Sequence, residues 1–460
     1  MTVMKFGGSS LATAELLDHA VGIADGALAD GVVLVASAMG GTTDRLQQVA
    51  HSAGRGDGNE ADAMVERLAD EHLAAAHVLL ERHYHRTADE LLGHAEYKLA
   101  IGDLERLFDE LRAIVTGMRL LRQWTPRSND AVLGFGERAV TILLAACARQ
   151  RGIDARLLDS REFIVSDDRF MQANVRQPET AERIRRRGRP APGQMLVAQG
   201  FIAATEDGID TTLGRGGSDY TATLFGAALA ATEVTIWTDV TGIMTSDPRL
   251  VPSARTQPCI SYREAAEMAY FGARVIHPAT IQPAVRGGVP VSVRNSREPE
   301  EAGTRIAADA APGVKAIACK RGITLINVTS SRMLLAYGFL RRIFEIFEHH
   351  RTPVDLVATS EVSVSMTIDD TAHLDAIAAD LAEVGAVNID RDASLVSIVG
   401  QDLWEQPGFL GTAVSALEGV PLKMMCLGSS DINLSLVVAD AATETAVRSL
   451  HRRFFEASPC

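Results

Sequence analysis

Short β-branched apolar runs, each released into glycine, hydroxyl or acidic residues, recur along the first two thirds of the chain. Val3 to Phe6 runs into Gly7, Gly8, Ser9 and Ser10; Gly31 to Met39 runs into Gly40, Gly41, Thr42 and Thr43; Val234 to Trp237 runs into Thr238 and Asp239. A continuous apolar run bounded by turn residues reads as a strand buried on both faces. The repetition at Lys5, Ser37 and Thr238 predicts one doubly wound α/β domain with a site along its strand ends.

The intervening pattern is helical. Met64, Leu68, Leu73, Leu104, Leu107 and Leu111 recur among charges between Asn59 and Leu121, predicting helices that wrap the domain edge. A further helix begins at Gly134 to Arg138 and continues through Thr141, Leu144 and Ala148. Ile153 to Ser160 predicts an edge strand, Ser166 to Pro192 is polar and interrupted, and Met195 to Ile202 returns to strand character. Beyond Arg249 come a helix from Tyr262 to Ala269, a strand from Val289 to Arg294, and a polar segment from Ser296 to Thr304 that closes the first domain.

The last third repeats itself. Gly338-Phe339-Leu340 precedes an apolar helix and the strand-like Val362 to Ile368, while Gly408-Phe409-Leu410 precedes another helix and Asn433 to Val438. Each copy also has an opening strand, Ile323 to Val328 and Leu395 to Gly400. The shared order predicts two related β-α-β modules serving dimerisation or regulation.

Candidate chemistry is densest from Asp210 to Arg249. Thr211, Thr212 and Leu213 lead to a turn at Gly214, Arg215, Gly216 and Gly217, and a small-residue helix runs from near Ser218 to about Ala231. First-turn N–H groups have no intrahelical acceptor, and glycine lets a ligand approach the main chain, so a phosphate or carboxylate fits there. Taken alone, Ser218 or Asp219 is equally a helix cap, and Asp247-Pro248 equally a turn. Lys5 adds a cation beside two glycine amides, without the P-loop spacing. Glu137 suits a substrate ammonium or simply a helix start; Arg274 suits a phosphate or a solvated turn.

Composition narrows the class. The 460 residues predict two or three domains, and an apolar fraction of 47% with 23% charged residues suits a globular chain. A formal charge of −14 disfavours a nonspecific nucleic-acid surface. Cys147, Cys259, Cys319, Cys426 and Cys460 are dispersed, as reduced independent thiols would be. His72, His77, His83 and His85 sit in the polar helical region and are expected to face solvent, so no protein metal site is expected. Neither a signal segment nor an apolar run long enough for a bilayer is evident, which makes the cytoplasm the default and a membrane partner unexpected.

Six motifs then carry a resemblance. KFGGSS (Lys5 to Ser10), GFGER (Gly134 to Arg138), QGFI (Gln199 to Ile202), TTLGRGGSDYTA (Thr211 to Ala222), WTDVTGIMTSDPR (Trp237 to Arg249) and FGARVIHPAT (Phe271 to Thr280) resemble, in order, the aspartate kinases of the amino-acid kinase family. The C-terminal repeats, with GFL at Gly338 to Leu340 and VDLVATSEVSVS at Val354 to Ser365, resemble tandem ACT modules of the lysine-sensitive branch. The resemblance implies a three-layer αβα amino-acid kinase domain over residues 1–305, followed by ferredoxin-like ACT domains over 314–390, with a C-terminal strand as a candidate completion, and 391–460.

It also implies roles. Lys5 and Asp219 would be catalytic; Thr43, Glu137, Phe201, Arg215 and Ser218 would meet aspartate; Lys5, Gly7, Gly8, Ser9, Thr238, Asp239, Met244, Arg249 and Arg274 would meet ATP. Met244 stands where the family commonly has tyrosine, and Arg274 where it commonly has lysine. Mg²⁺ would ride mainly on the nucleotide phosphates. Met333, Gly338, Phe339, Leu340, Asp355, Thr359, Ser360 and Glu361 match the positions that take a lysine effector.

The implied reaction is ATP-dependent phosphorylation of the L-aspartate β-carboxylate, opening the route to lysine, threonine and methionine, in a homodimer joined through ACT modules or a tetramer. The alternatives are a kinase for another acidic amino acid or a carbamate, and a noncatalytic amino-acid sensor.

Overall fold

The computed structural model describes residues 1–84, 90–271, 277–308, 310–333, 337–428 and 431–456. The chain divides into two compact units, Met1–Ile243 with Val275–Ala308, and Met244–Arg274 with Asp309–Cys460. Residues 244–274, which the motif order groups with the catalytic domain, thus fall in the second unit.

In the first unit, parallel strands lie in the order Asp154–Leu158, Gln194–Gln199, Val32–Ala36, Thr2–Phe6, Glu233–Thr238 and Val291–Asn295, and Thr304–Ala307 adds antiparallel to the last. Val32–Ala36 is buried at every residue, as its unbroken apolar run requires. Chain order departs in opposite directions on the two sides of Thr2–Phe6, which makes that strand the topological switch point. Side chains alternate across a strand, so Lys5 faces the helix Gly217–Leu229, whereas Met4 and Phe6 join the core built with Leu17, Val21, Val140 and Leu144 of helices Ala14–Asp25 and Phe135–Gln150. The unit is therefore a three-layer α/β/α sandwich.

Several expectations need correction. The long helices Gly58–Tyr84 and Glu90–Leu121 form, but His72 is 1% exposed, its ring tilted against Phe108 and its Nδ1 2.7 Å from the Leu68 carbonyl. Burial drives its pKa down, so it is a neutral core histidine. His77 is exposed, and the side chains of His83 and His85 lie outside the described ones.

The polar stretch after Ser166 contains the helix Gln177–Arg187, which buries only Thr180 and Ile184, too thin an apolar stripe to read from the pattern. The run Met195 to Ile202 is broken at Gly200 and Phe201 into Gln194–Gln199 and Ile202–Thr205. Among the described residues Pro126–Gln150 is long and apolar enough to cross a bilayer, contrary to expectation; 83% of its apolar window is buried, so its apolarity serves the core.

The second unit carries a six-stranded antiparallel sheet in the order Leu356–Thr359, Ser363–Ile368, Gly313–Thr329, Ala386–Gln401, Asn433–Ala439 and Leu422–Cys426. Gly338 (φ 77°) and Gly408 (φ 79°) cap the helices Phe339–His349 and Phe409–Ser415 from the left-handed region, where a side chain would be strained. The next residue of each, Phe339 or Phe409, is buried in its own apolar cluster. The expected boundary between 390 and 391 falls inside Ala386–Gln401, which is shared by both repeats.

Candidate active site

At the carboxyl ends of the central strands, Lys5, Ser37, Thr43, Glu137, Phe201, Gly214, Gly216, Gly217, Ser218 and Asp219 line a cavity of about 270 Å³. Lys5 Nζ lies 2.7 Å from Asp219 Oδ1, with the two side chains 12% and 11% exposed. The helices Thr42–Arg55, Phe135–Gln150 and Gly217–Leu229 each bring first-turn residues to this wall, namely Thr43, Glu137, and Ser218 with Asp219. Unpaired N–H groups and aligned dipoles at such starts favour anions, and the Lys5 ammonium adds to that field.

Glu137 carries the opposite character. It is 2% exposed, one carboxylate oxygen accepts from Ala38 N–H at 3.1 Å, and the other, Oε2, is buried without a hydrogen-bond partner among the described residues. Burial raises its pKa to about 8, partly offset by the Ala38 N–H. A ligand ammonium would supply the missing partner and restore the charge.

The backbone is drawn tight around this cavity. Phe201 adopts φ 68°, a costly conformation for a bulky residue, held by its N–H to Thr221 Oγ1 at 3.2 Å and its carbonyl to Leu213 N–H at 2.9 Å. A Cβ on Gly200 would sit 2.5 Å from Ser218 Cβ, and one on Gly136 2.7 Å from Ala38 Cβ, so glycine is needed at both for close packing. Ser37 and Gly7 continue the neighbouring strands, donating to Phe6 and Trp237 carbonyls at 3.1 Å each.

Of the residues read from sequence, the cavity gathers Lys5, Thr43, Glu137, Phe201, Ser218 and Asp219. Gly7, Gly8 and Ser9 form the turn that follows the strand Thr2–Phe6, and Thr238 and Asp239 end the adjacent strand. Arg215 is exposed in the glycine turn and does not line the cavity. Met244 and Arg249 belong to the second unit, where Met244 bridges Thr256 and exposed Arg249 pairs with Asp247 at 2.7 Å. Arg274 lies outside the described residues.

In the second unit Met333 closes a short helical turn, Gly338 to Leu340 open a helix, and Asp355 to Glu361 span the edge strand and its turn. Burial raises the Asp355 pKa, and its Oδ2 has no hydrogen-bond partner among the described residues.

Asp130, which no motif marks, supports the site. Its carboxylate accepts from Thr212 N–H at 2.9 Å, Thr212 Oγ1 at 2.8 Å and Met171 N–H at 2.8 Å, fixing the strand that feeds the glycine turn. An acid immediately before the apolar Ala131 to Leu133 that leads into GFGER is the available signal. A larger cleft of about 610 Å³ holds Arg106, Arg138, Arg161 and Arg187, but Asp103, Glu110, Asp159 and Glu162 already neutralise them.

Comparison with known proteins gives matching relationships. Residues 1–295 match the amino acid kinase family and residues 396–454 match the ACT domain. The chain is 35% identical over 470 residues to lysine-sensitive aspartokinase 3 of Escherichia coli, covering 99% of each. It superposes on E. coli aspartokinase III in complex with aspartate and ADP (R-state) with TM-score 0.77 and 34% identity, covering 99% of this chain and 100% of that one. The lysine and aspartate complex (T-state) of the same enzyme gives 0.78 and 33%, covering 99% of each.

Proposed function

The chain belongs to the amino acid kinase family, and from that membership we propose that it transfers the γ-phosphoryl group of ATP to the β-carboxylate of L-aspartate, giving ADP and 4-phospho-L-aspartate. The observation that carries this reading is the opposition, in one cavity, of the Lys5 ammonium with its helix starts to the Glu137 carboxyl group, whose Oε2 has no hydrogen-bond partner among the described residues. An α-amino acid presents both charges at once.

The β-carboxylate is already a nucleophile, so no side chain has to remove a proton from it. Glu137 holds the substrate ammonium, and Ser218 and Thr43 offer hydroxyls to its carboxylates. Arg215, exposed beside the cavity, swings onto the α-carboxylate. Lys5, released from Asp219, stabilises charge on the transferring phosphoryl oxygens beside the amides of Gly7, Gly8 and Ser9. Thr238 and Asp239, at the end of the adjacent strand, serve the nucleotide.

Among the described residues no group of three or more His, Cys, Asp or Glu side chains is placed to hold a metal ion. Mg²⁺ would be carried mainly by the nucleotide phosphates, where it would neutralise phosphate charge.

The second unit binds lysine through Met333, Gly338, Phe339, Leu340, Asp355, Thr359, Ser360 and Glu361, and joins two copies of the chain in a cytoplasmic homodimer or tetramer. Product-resolved assays with aspartate, with glutamate, and with carbamoyl phosphate plus ADP test the reading. Aspartate-dependent ADP and acyl phosphate formation is expected; transfer restricted to either other substrate, or none at all, overturns it.

A further inference from the structure

On the sheet face opposite Lys5 lies a second cavity, of about 440 Å³, that shares no lining residue with the first. Trp237 and Arg294 are register partners on neighbouring parallel strands, so their side chains share that face. The Arg294 guanidinium lies 5.9 Å from the centre of the Trp237 ring, whose other neighbour is the stacked ring of Phe6. Trp237 is 3% exposed, and both its Nε1–H and the Arg294 Nε–H are buried without a hydrogen-bond partner among the described residues.

No ion pair neutralises Arg294 among the described residues either, although acids are plentiful in this chain. Two buried, unmatched donors beside an uncompensated cation are costly unless something accepts from them. Gly22 and Gly26 also line the cavity, the Gly22 position being backed by the Arg151 guanidinium at 3.1 Å from where a Cβ would sit, while Met4, Ile23 and Ala27 supply an apolar wall. Exposed Glu300 contributes to the lining and repels a second negative charge. His19 also lines the cavity, but its Nε2 is already engaged at 2.7 Å by the Ser296 carbonyl.

We propose that this cavity binds a small aliphatic monocarboxylate, either a free acid or the carboxylate end of an apolar α-amino acid. The carboxylate accepts from Arg294 and Trp237 Nε1–H, and the alkyl chain lies against Met4, Ile23 and Ala27. A planar two-oxygen acceptor matches a guanidinium edge and an indole N–H better than a sphere of phosphate oxygens does, and Glu300 excludes dicarboxylates such as aspartate. This site does not depend on the proposed kinase reaction.

The full-length chain has 3 tryptophans, so its indole N–H signals in a ¹H–¹⁵N spectrum are few, and Trp237→Phe identifies the relevant one. Isovalerate and L-leucine are titrated separately to about 20 mM, a range that reaches millimolar affinities, with succinate and inorganic phosphate as controls. Isovalerate should move the Trp237 signal downfield and saturably, and leucine doing the same would name the amino-acid source. Arg294→Gln should weaken the response at least about tenfold, and Ile23→Trp, which fills the apolar wall, should do so without touching the charge. Failure of both carboxylates to shift the signal overturns the proposal. An equal response to phosphate or succinate, or an undiminished response in a folded Arg294→Gln or Ile23→Trp chain, also overturns it.

Discussion

Lys5 Nζ and Asp219 Oδ1 are 2.7 Å apart in a nearly buried ion pair, so the only cation that lines the candidate cavity among the described residues is neutralised by a residue that the sequence places more than two hundred positions away. Breaking one side of such a pair costs about 3–5 kcal/mol, because the remaining charge stays desolvated.

Lys5→Met should therefore lower both stability and turnover, and the double variant Lys5→Met/Asp219→Asn separates the two. Thermal unfolding of the double variant should recover most of the loss, while kcat stays down by about 10²–10³-fold at saturating ATP and aspartate. Wild-type turnover in the double variant would make the pair purely structural.

The Glu137 carboxyl, raised to about 8 by burial, must ionise to hold an ammonium. The kcat/KM for aspartate should accordingly rise with pH toward about 8 and flatten above it, and Glu137→Gln should remove that limb. Stability runs the other way. The unfolded chain loses this proton near pH 4.3, while the folded chain keeps it to about 8, so the folded state binds more protons in that window. Wild-type stability relative to Glu137→Gln should fall as pH rises across it. Parallel unfolding curves from about pH 5 to 8 would refute the buried, protonated state.

Arg215 is exposed in the glycine turn, so clamping a substrate requires it to move. Arg215→Lys keeps the charge and loses the bidentate edge, and should raise the aspartate KM by a factor corresponding to about 1–3 kcal/mol without affecting stability. An unchanged KM and kcat/KM would remove Arg215 from the clamp.

Gly136 sits one residue before Glu137 with no room for a side chain, its Cβ position being 2.7 Å from Ala38 Cβ and 3.0 Å from Thr42 Cγ2. Gly136→Ala should destabilise the fold by about 1–3 kcal/mol. It should also weaken aspartate binding, because Ala38 N–H holds Glu137. Unperturbed melting and kinetics would show that this wall yields easily.

Lysine should inhibit initial rates, and Asp355→Ala and Glu361→Ala should each relieve inhibition while leaving uninhibited turnover intact. Inhibition requires differential affinity for two states, so binding measured by calorimetry must be lost in step with it. Inhibition by threonine instead, or undiminished lysine inhibition in both variants, would displace the assignment.

The sequence alone determined the buried strands, because runs such as VVLVA leave no polar face for water. It also determined the glycine-gated helix starts at Gly216, Gly338 and Gly408, because positive φ is a local property that glycine announces. Local chemistry likewise marked Lys5, Glu137, Ser218 and Asp219.

Tertiary structure decided the rest. It paired Lys5 with Asp219, buried His72 in a helix that reads as polar, and left Arg215 in solvent. Sequence could not separate the continuous strands of the second unit into two closed modules, because Ala386–Gln401 serves both repeats at once. Nor could it show that Trp237 and Arg294 are neighbours, since strand register is set by packing across distant segments, while periodicity sees only one segment at a time.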